Sequence, residues 1–397
     1  MALVTKNFSD IITFTRASTA TFFNSAGVLT SAAVDAPRFD YNPSTLAARG
    51  LLIEESRANL KTYSDAITIA NSYGAVNATL ATVSVATPIS GVTTATLMTL
   101  NVGANTGNAQ DGMTFGSTVV SNTTQYTQSI FVKPAGTTVF RLRNNSLGGT
   151  ADFVLTGNGT APGLVSGIQA ATIAPVGNGW YRCSWTFTTG TTAPGNRTDY
   201  WSLKSDVADG VNGLYFTGAQ FEAGAFPTSY IPTTTTALTR AADVASVNTL
   251  SPWYNSVEGT LYTESQQLAA QTAALFPRIV AVDDGSTNNA ILHLWRTDTS
   301  RLYANAVSSG SGQYDLGANG VTQTNVNKMA SAFAANNFAA SINGGSVLTD
   351  LAGVVPSGLT TLRIGRSSGT DYLNGYLRRI TYYPRRLANA DLQAITT

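Results

Sequence analysis

Residues 177–187 read GNGWYRCSWTF. The Gly177-Asn178-Gly179 triplet tolerates the positive φ angles of a tight turn. Alternation follows: Tyr181, Cys183, Trp185 and Phe187 fall on one face, and Arg182, Ser184 and Thr186 on the other. A period of two with bulky residues on one side is a strand lying over a core. Cys183 then reads as a small buried hydrophobe.

The same pattern recurs along the chain. In FRLRN, Phe140 and Leu142 point in while Arg141 and Arg143 point out. In FAASINGGSVL, Phe338, Ala340 and Ile342 share a face, and Asn343-Gly344-Gly345 closes a hairpin. TTLRIGR turns Leu362 and Ile364 inward. GLYFTGAQFEAG, read with unbroken alternation, places Leu214, Phe216, Gly218, Gln220 and Glu222 together. No long stretch carries a period of 3.6. TESQQLAAQTAAL, residues 263–275, reads as a helix or a loop with a helical turn. Asn389 reads as the cap of a short last helix over 390–395. Short Thr-, Val- and aromatic-rich runs between Gly and Asn turns belong to sandwiches and jelly rolls.

The fold class expected is therefore all-β, with two antiparallel β-sandwich (jelly-roll) domains preceded by an extended N-terminal docking segment. The division expected is residues 1–60 for that segment, 61–232 for the first sandwich, 233–256 for a linker and 257–397 for the second. Pro227 and Pro232 cannot donate to a ladder, so they mark the exit from the first sandwich.

Composition narrows the function. Of 397 residues, 43% are hydrophobic but only 11% are charged, against about 25% in an average globular protein. The surface must be built from Thr, Ser, Asn, Gln and Gly, which suits a protein held in a large assembly. The net charge is +1 and no basic block stands out, so nucleic acid is not an expected partner. No apolar run is long enough to cross a bilayer as a helix, and MALVTKNFSD lacks the apolar stretch of a signal peptide. A single cysteine, Cys183, excludes an intrachain disulfide. Any Ser-His-Asp or Cys-His nucleophile would have to use the one histidine, His293. In AILHLWR it shares a strand face with Ile291 and Trp295, the setting of a packed histidine.

Several stretches together resemble a known architecture. RASTATFFNSAGVL, APRFDY and GLLIEESRANL resemble the N-terminal segment of bacteriophage virion structural proteins of the tail-fibre or spike type. QSIFVKPAG, GNGWYRCSWTF, GAQFEAGAFPTSYIPT and LTRAADV resemble the carbohydrate-binding-module-like jelly roll that follows it there. FAASINGGSVL and LRIGRSSGTDYLNGYLRRITYYPRRLANADLQAI resemble a laminin-G or concanavalin A-like lectin sandwich. The resemblance implies a virion surface or tail component, made in the bacterial cytoplasm, that displays glycan-binding-type domains for host attachment. Its implied partners are other virion proteins through the N-terminal segment, host cell-surface polysaccharide, and further copies of the chain, most naturally a trimer. A purely architectural capsid, collar or decoration protein is the alternative, followed by a polysaccharide depolymerase.

Sugars are held by an aromatic ring against the pyranose face and by polar side chains on the hydroxyls. Two stretches offer that set: Arg366, Asp371, Tyr372 and Asn374 in GRSSGTDYLNG, on an expected loop, and Arg197, Asp199, Tyr200 and Trp201 in RTDYWSLK. In the second, the competing reading puts Trp201 in the core. VDDGSTNN makes Asp283 and Asp284 candidate calcium ligands, with an Asp-Gly hairpin turn as the plain alternative; no other cofactor is expected. Glu222 is the carboxylate most worth testing as catalytic, since glycoside hydrolysis needs a pair about 5 Å or more apart. Its place at a strand end favours a structural role, and no enzyme activity is expected.

Overall fold

The computed structural model describes residues 7–104, 111–115, 120–143, 150–164, 167–191, 200–203, 208–369 and 371–397. Its strands form two antiparallel sandwiches, as the sequence predicts. The chain is shared between them in an unexpected way.

One sandwich lies wholly within residues 74–223. Its six-stranded sheet runs, edge to edge, Ala170–Pro175, Tyr181–Thr188, Gln125–Ala135, Gly213–Ala223, Thr94–Leu100 and Ala78–Ser84. Its five-stranded sheet runs Thr150–Val154, Val139–Arg143, Tyr200–Leu203, Gly112–Thr114 and Gly74–Val76. Between them Trp185, Phe187, Phe140, Phe153, Phe216 and Trp201 form an aromatic core with Cys183.

The other sandwich takes strands from both ends of the chain. Its first sheet runs Thr13–Thr15, Val244–Val247, Thr361–Ile364, Arg278–Asp283, Ala290–Arg296, Arg301–Ser308 and Ser311–Ala318. Its second runs Leu348–Asp350, Phe338–Ile342, Asn327–Ala334, Glu258–Gln267, Gly375–Tyr383, Ala48–Ile53 and Phe39–Tyr41. Phe14, Leu51 and Ile53 share its core with Trp295, Met329, Phe333 and Leu377. We call this the split sandwich and the other the inserted sandwich. The chain passes between them through a two-stranded ribbon, Arg57–Asn59 paired with Leu238–Arg240.

Two sequence expectations change accordingly. Three strands of the expected docking segment, Thr13–Thr15, Phe39–Tyr41 and Ala48–Ile53, are built into the split sandwich, where their backbone groups complete two sheets. Residues 233–256, expected as a linker, contain a ribbon strand and a sheet strand, Val244–Val247. The reason is edge pairing: three- and four-residue strands are stable only when a sheet edge supplies their hydrogen bonds.

Three local expectations also shift. Of residues 263–275, read as a helix or a loop with a helical turn, 263–267 belong to the strand Glu258–Gln267, because two long strands on either side claim their backbone, and 268–275 form a loop without a helix. The last helix spans Asn389–Thr396 with Ala388 at the cap position, so Asn389 is its first residue. The alternation in Gly213–Ala223 breaks at Gly218. There a bulge slips the register against Ser129 and Phe131, and Gly218 takes φ +65°. Leu214 and Phe216 enter the core before it, Ala219 and Phe221 after it. One extra residue thus carries Gln220 and Glu222 to the opposite face.

That opposite face is itself covered. The exit stretch after Gly224 lies across it, with the Thr186 hydroxyl donating to Ala225 O and Arg182 to Thr228 O. Ser184 and Thr186, expected to face out, are consequently buried. The hairpin formed by Ala20–Phe23 and Leu29–Ala32 adds a small second core there, where Leu29 meets Phe131, Trp180 and Tyr230.

Beside this seam lies a buried charge cluster. Asp243 Oδ1 pairs with Arg16 at 3.1 Å and Oδ2 with Arg38 at 2.5 Å. Glu54 pairs with Arg38 at 2.7 Å and Arg240 at 3.6 Å, and accepts hydrogen bonds from the Ser229 N–H and hydroxyl, each at 2.7 Å. Burial pushes the Glu54 carboxyl up, but Arg240, Arg38 and the Ser229 bonds outweigh it and bring it down to about 2. The cluster joins residues 16–54, the exit stretch and residues 240–243 at one point. Removing one partner from such a group strands a buried charge.

Candidate functional site

The loop Gly365–Gly375 is shaped by backbone bonds before its side chains matter. Leu373 N donates to Gly365 O at 2.8 Å, and Arg278 N donates to Asp371 O at 3.2 Å. These bonds project residues 371 and 372 over the gap between the sandwiches. Asp371 is 46% exposed and its carboxylate lies 3.7 Å from Arg278. Tyr372 is half-buried; Arg366 sits 5.5 Å from its ring centroid and donates to its hydroxyl at 3.3 Å. Arg366 therefore holds the ring rather than facing a ligand.

Asn374 adopts φ +46°, and its side chain turns away from solvent. Its amide oxygen accepts from Glu55 N at 2.9 Å and its nitrogen donates to Glu55 Oε2 at 3.3 Å. Glu55 in turn accepts from Arg57 Nε at 2.5 Å, and Arg57 donates to Ala223 O and lies over the Phe226 ring at 5.1 Å. A polar chain therefore runs from the split sandwich, through the ribbon, to the end of the inserted sandwich's strand Gly213–Ala223.

This chain floors a groove of about 730 Å³. The split sandwich contributes Asp371, Tyr372, Asn374 and residues 270–277, with Phe276 37% exposed. The inserted sandwich contributes Gln125, Gln169, Ala170 and residues 224–226. Gln125 Nε2 donates to Gln169 Oε1 at 2.8 Å, and the Thr188 hydroxyl donates to the same oxygen at 3.0 Å. The groove thus offers aromatic faces, amides, the Glu55 and Asp371 carboxylates and the Arg57 guanidinium, drawn from both sandwiches. That mix suits a ligand with both hydroxyls and C–H faces.

Three of the four residues expected on the last-domain loop therefore meet in one groove, with the fourth, Arg366, behind Tyr372. Sequence reasoning missed Glu55, Arg57, Gln125, Gln169, Phe226 and Phe276. Phe276, an aromatic beside Pro277 at the end of the Ala-rich stretch, carried a signal. The two glutamines carried none, because their role depends on which sandwich edge faces the other.

In the second candidate set, Trp201 is the residue whose side chain the structure describes. Trp201 is 0% exposed in the aromatic core, 4.6 Å from Phe115 and 5.9 Å from Trp185 between centroids, so its ring has no face for a ligand. Arg197 and Asp199 lie outside the described residues; Tyr200 is described as a backbone position in strand Tyr200–Leu203.

The calcium candidates diverge. Asp283 is buried and accepts from Arg363 Nε at 2.8 Å and from Gly285 N at 2.8 Å. Asp284 accepts from Ser286 and from Asn289 within the turn. Each carboxylate is committed to a different partner. Among the described residues no three His, Cys, Asp or Glu side chains gather at a metal-binding spacing.

Glu222 is 0% exposed. Oε1 accepts from Gln220 Nε2 at 2.6 Å and Thr228 N at 2.9 Å, and Oε2 accepts from the Thr228 hydroxyl at 2.7 Å. It fastens the exit stretch onto the sheet. His293 is buried between the sheets of the split sandwich, alongside Ile291 and Trp295 as expected.

No family model matches the chain, and no curated protein matches it. Among solved structures, it is similar to the CBM40 of the Ruminococcus gnavus IT-sialidase, with TM-score 0.31 and 15% identity over 36% of this chain and 84% of that one. It is similar to a native heptameric SAP-like pentraxin of Limulus polyphemus, with TM-score 0.29 and 11% identity over 38% and 79%. It is also similar to chicken Galectin 2, with TM-score 0.23 and 12% identity over 33% and 92%.

Proposed function

We propose that the chain is a non-catalytic glycan-binding structural protein whose ligand lies in the groove between the two sandwiches. The observation that supports it is the meeting of Asp371 and Tyr372 with Phe276, Arg57 and the Gln125–Gln169 pair, drawn from both sandwiches, in one cleft. An aromatic edge beside amide and charged groups recognises a sugar by its hydroxyls and its C–H face together. In its finer form, the proposal is a surface component of a bacteriophage particle, such as a tail fibre or spike, that attaches to host polysaccharide as an oligomer. That part rests on the sequence resemblance of residues 16–60 and the modules after them. Because strands Thr13–Thr15, Phe39–Tyr41 and Ala48–Ile53 belong to the split sandwich, attachment through residues 13–53 would engage a folded surface rather than a loose arm.

The test is a glycan array followed by calorimetry with the purified chain. Binding of a host-type oligosaccharide that weakens about tenfold in Tyr372→Ala, the loss of one stacking and bonding contact, supports the reading. No binding on the array, with the protein mapped to an interior position in a particle, would leave the architectural alternative standing. New reducing ends from incubated polysaccharide would establish a depolymerase instead.

A further inference from the structure

A second cavity, of about 310 Å³, lies on the other flank of the seam, enclosed by the N-terminal hairpin, the inserted sandwich and the split sandwich. Gln267 lines it. That side chain is 1% exposed, and neither its amide oxygen nor its amide nitrogen has a hydrogen-bond partner. A buried amide without partners costs about 1–3 kcal/mol for each unmade bond, so native proteins rarely keep one without a purpose. Across the cavity Arg182 donates to Ser129 Oγ at 3.0 Å and to Thr228 O at 2.8 Å, with no carboxylate within salt-bridge distance among the described residues. Asp40 is buried there too and is held by Phe23 N at 2.7 Å and Arg49 at 3.5 Å. Phe22, Leu52 and Phe131 supply apolar wall.

We propose that this cavity is a binding site, distinct from the groove, for one neutral polyhydroxylated ring, a single sugar residue or a cyclic polyol. The Gln267 amide offers a donor nitrogen and an acceptor oxygen, which a pair of vicinal hydroxyls can engage together. Arg182 and Asp40 add a donor and an acceptor of opposite charge, so the lining favours a neutral ligand over an anion or a cation. The apolar wall takes the ring's C–H face. Because walls come from both sandwiches, an occupied cavity ties them together.

The test uses the full chain with glucose, galactose, mannose, N-acetylglucosamine and myo-inositol as probes, read by saturation-transfer NMR and by thermal unfolding. The expected result is saturable binding of at least one probe and a rise in unfolding temperature with its concentration. Gln267→Leu, which removes the unpaired amide at nearly constant volume, keeps or raises stability without ligand and weakens that binding about tenfold or more. Gln267→Met serves the same purpose if the leucine variant fails to fold. Tyr372→Ala, in the groove, leaves this binding unchanged, so failure of one site is distinguished from failure of the other. Absence of saturable binding by all five probes overturns the proposal. So does binding that survives loss of the Gln267 amide, or an experimental structure showing only ordered water around it.

Discussion

Nε2 of His293 lies 2.7 Å from the hydroxyl of Ser331, across the interior of the split sandwich. Its other nitrogen is 2.9 Å from the Thr263 hydroxyl on that same opposite sheet. Burial lowers the imidazole to about 3. The unfolded chain, titrating near 6.5, then binds the extra proton between about pH 6.5 and 3, and stability falls as pH drops through that window. From this group alone the folded state is about 2 kcal/mol less stable at pH 5 than at pH 7. Urea midpoints measured from pH 7 to pH 4 should show the slope, and His293→Gln should flatten it.

Glu54 behaves in a lower window. Its carboxyl is depressed to about 2, so its contribution is complete above about pH 4.5 and disappears as pH falls toward 2. At neutral pH, Glu54→Gln leaves Arg38 and Arg240 short of countercharge and costs about 3–5 kcal/mol. Chemical denaturation at pH 7 reads that loss. Equal stability of variant and wild type would show that the cluster does not hold the seam.

Gly218 carries the bulge that sends Glu222 to the seam. At φ +65° an added Cβ runs into the Phe131 ring. Gly218→Ala should cost about 1–3 kcal/mol, visible as a lowered denaturation midpoint. It should also loosen the exit stretch, visible as faster amide exchange at Thr228.

Trp201 and Tyr372 separate fold from function. Trp201→Ala empties the core and costs about 3–5 kcal/mol. Tyr372→Ala leaves the denaturation midpoint nearly unchanged and lowers glycan affinity. The reverse pattern, a stable Trp201→Ala protein with lost binding, would place the site on the inserted sandwich after all.

The two sandwiches should differ in autonomy. The buried residues of the inserted sandwich's main core lie between Ile67 and Phe221, so a fragment of residues 61–232 should fold and resist limited proteolysis. A fragment of residues 233–397 lacks Phe14, Leu51 and Ile53 and two sheet edges. It should aggregate alone and recover solubility when residues 1–60 are co-expressed.

Strand faces were legible wherever alternation was clean. Tyr181, Cys183, Trp185, Phe187, Phe140, Leu142, Leu362 and Ile364 are all buried as read. Position-by-position reading failed at Gly218, because a glycine does not announce whether it continues a strand or adds a residue to it. It failed over residues 263–267 because the Glu, Gln and Ala of TESQQLAAQTAAL favour helix in isolation, while the neighbouring strands decide the outcome. The split was illegible for a different reason. Thr13–Thr15 pairs with Val244–Val247, more than 200 residues away, and nothing local in TFT names that partner. The groove inherits the same difficulty, since Tyr372 and Gln125 meet only after both sandwiches have closed.

The ribbon that joins the sandwiches pairs Leu238 directly with Asn59. Departure and return therefore occur side by side, at the spacing of neighbouring strands. A short turn could bridge those two residues and leave the outer domain's strand order intact. The inserted sandwich is in this sense a cassette: a different module with adjacent termini could occupy its place without rewiring its host. Whichever module sits there also supplies one wall of the groove, so an exchange would alter what the groove accepts while the loop carrying Asp371 and Tyr372 stays the same.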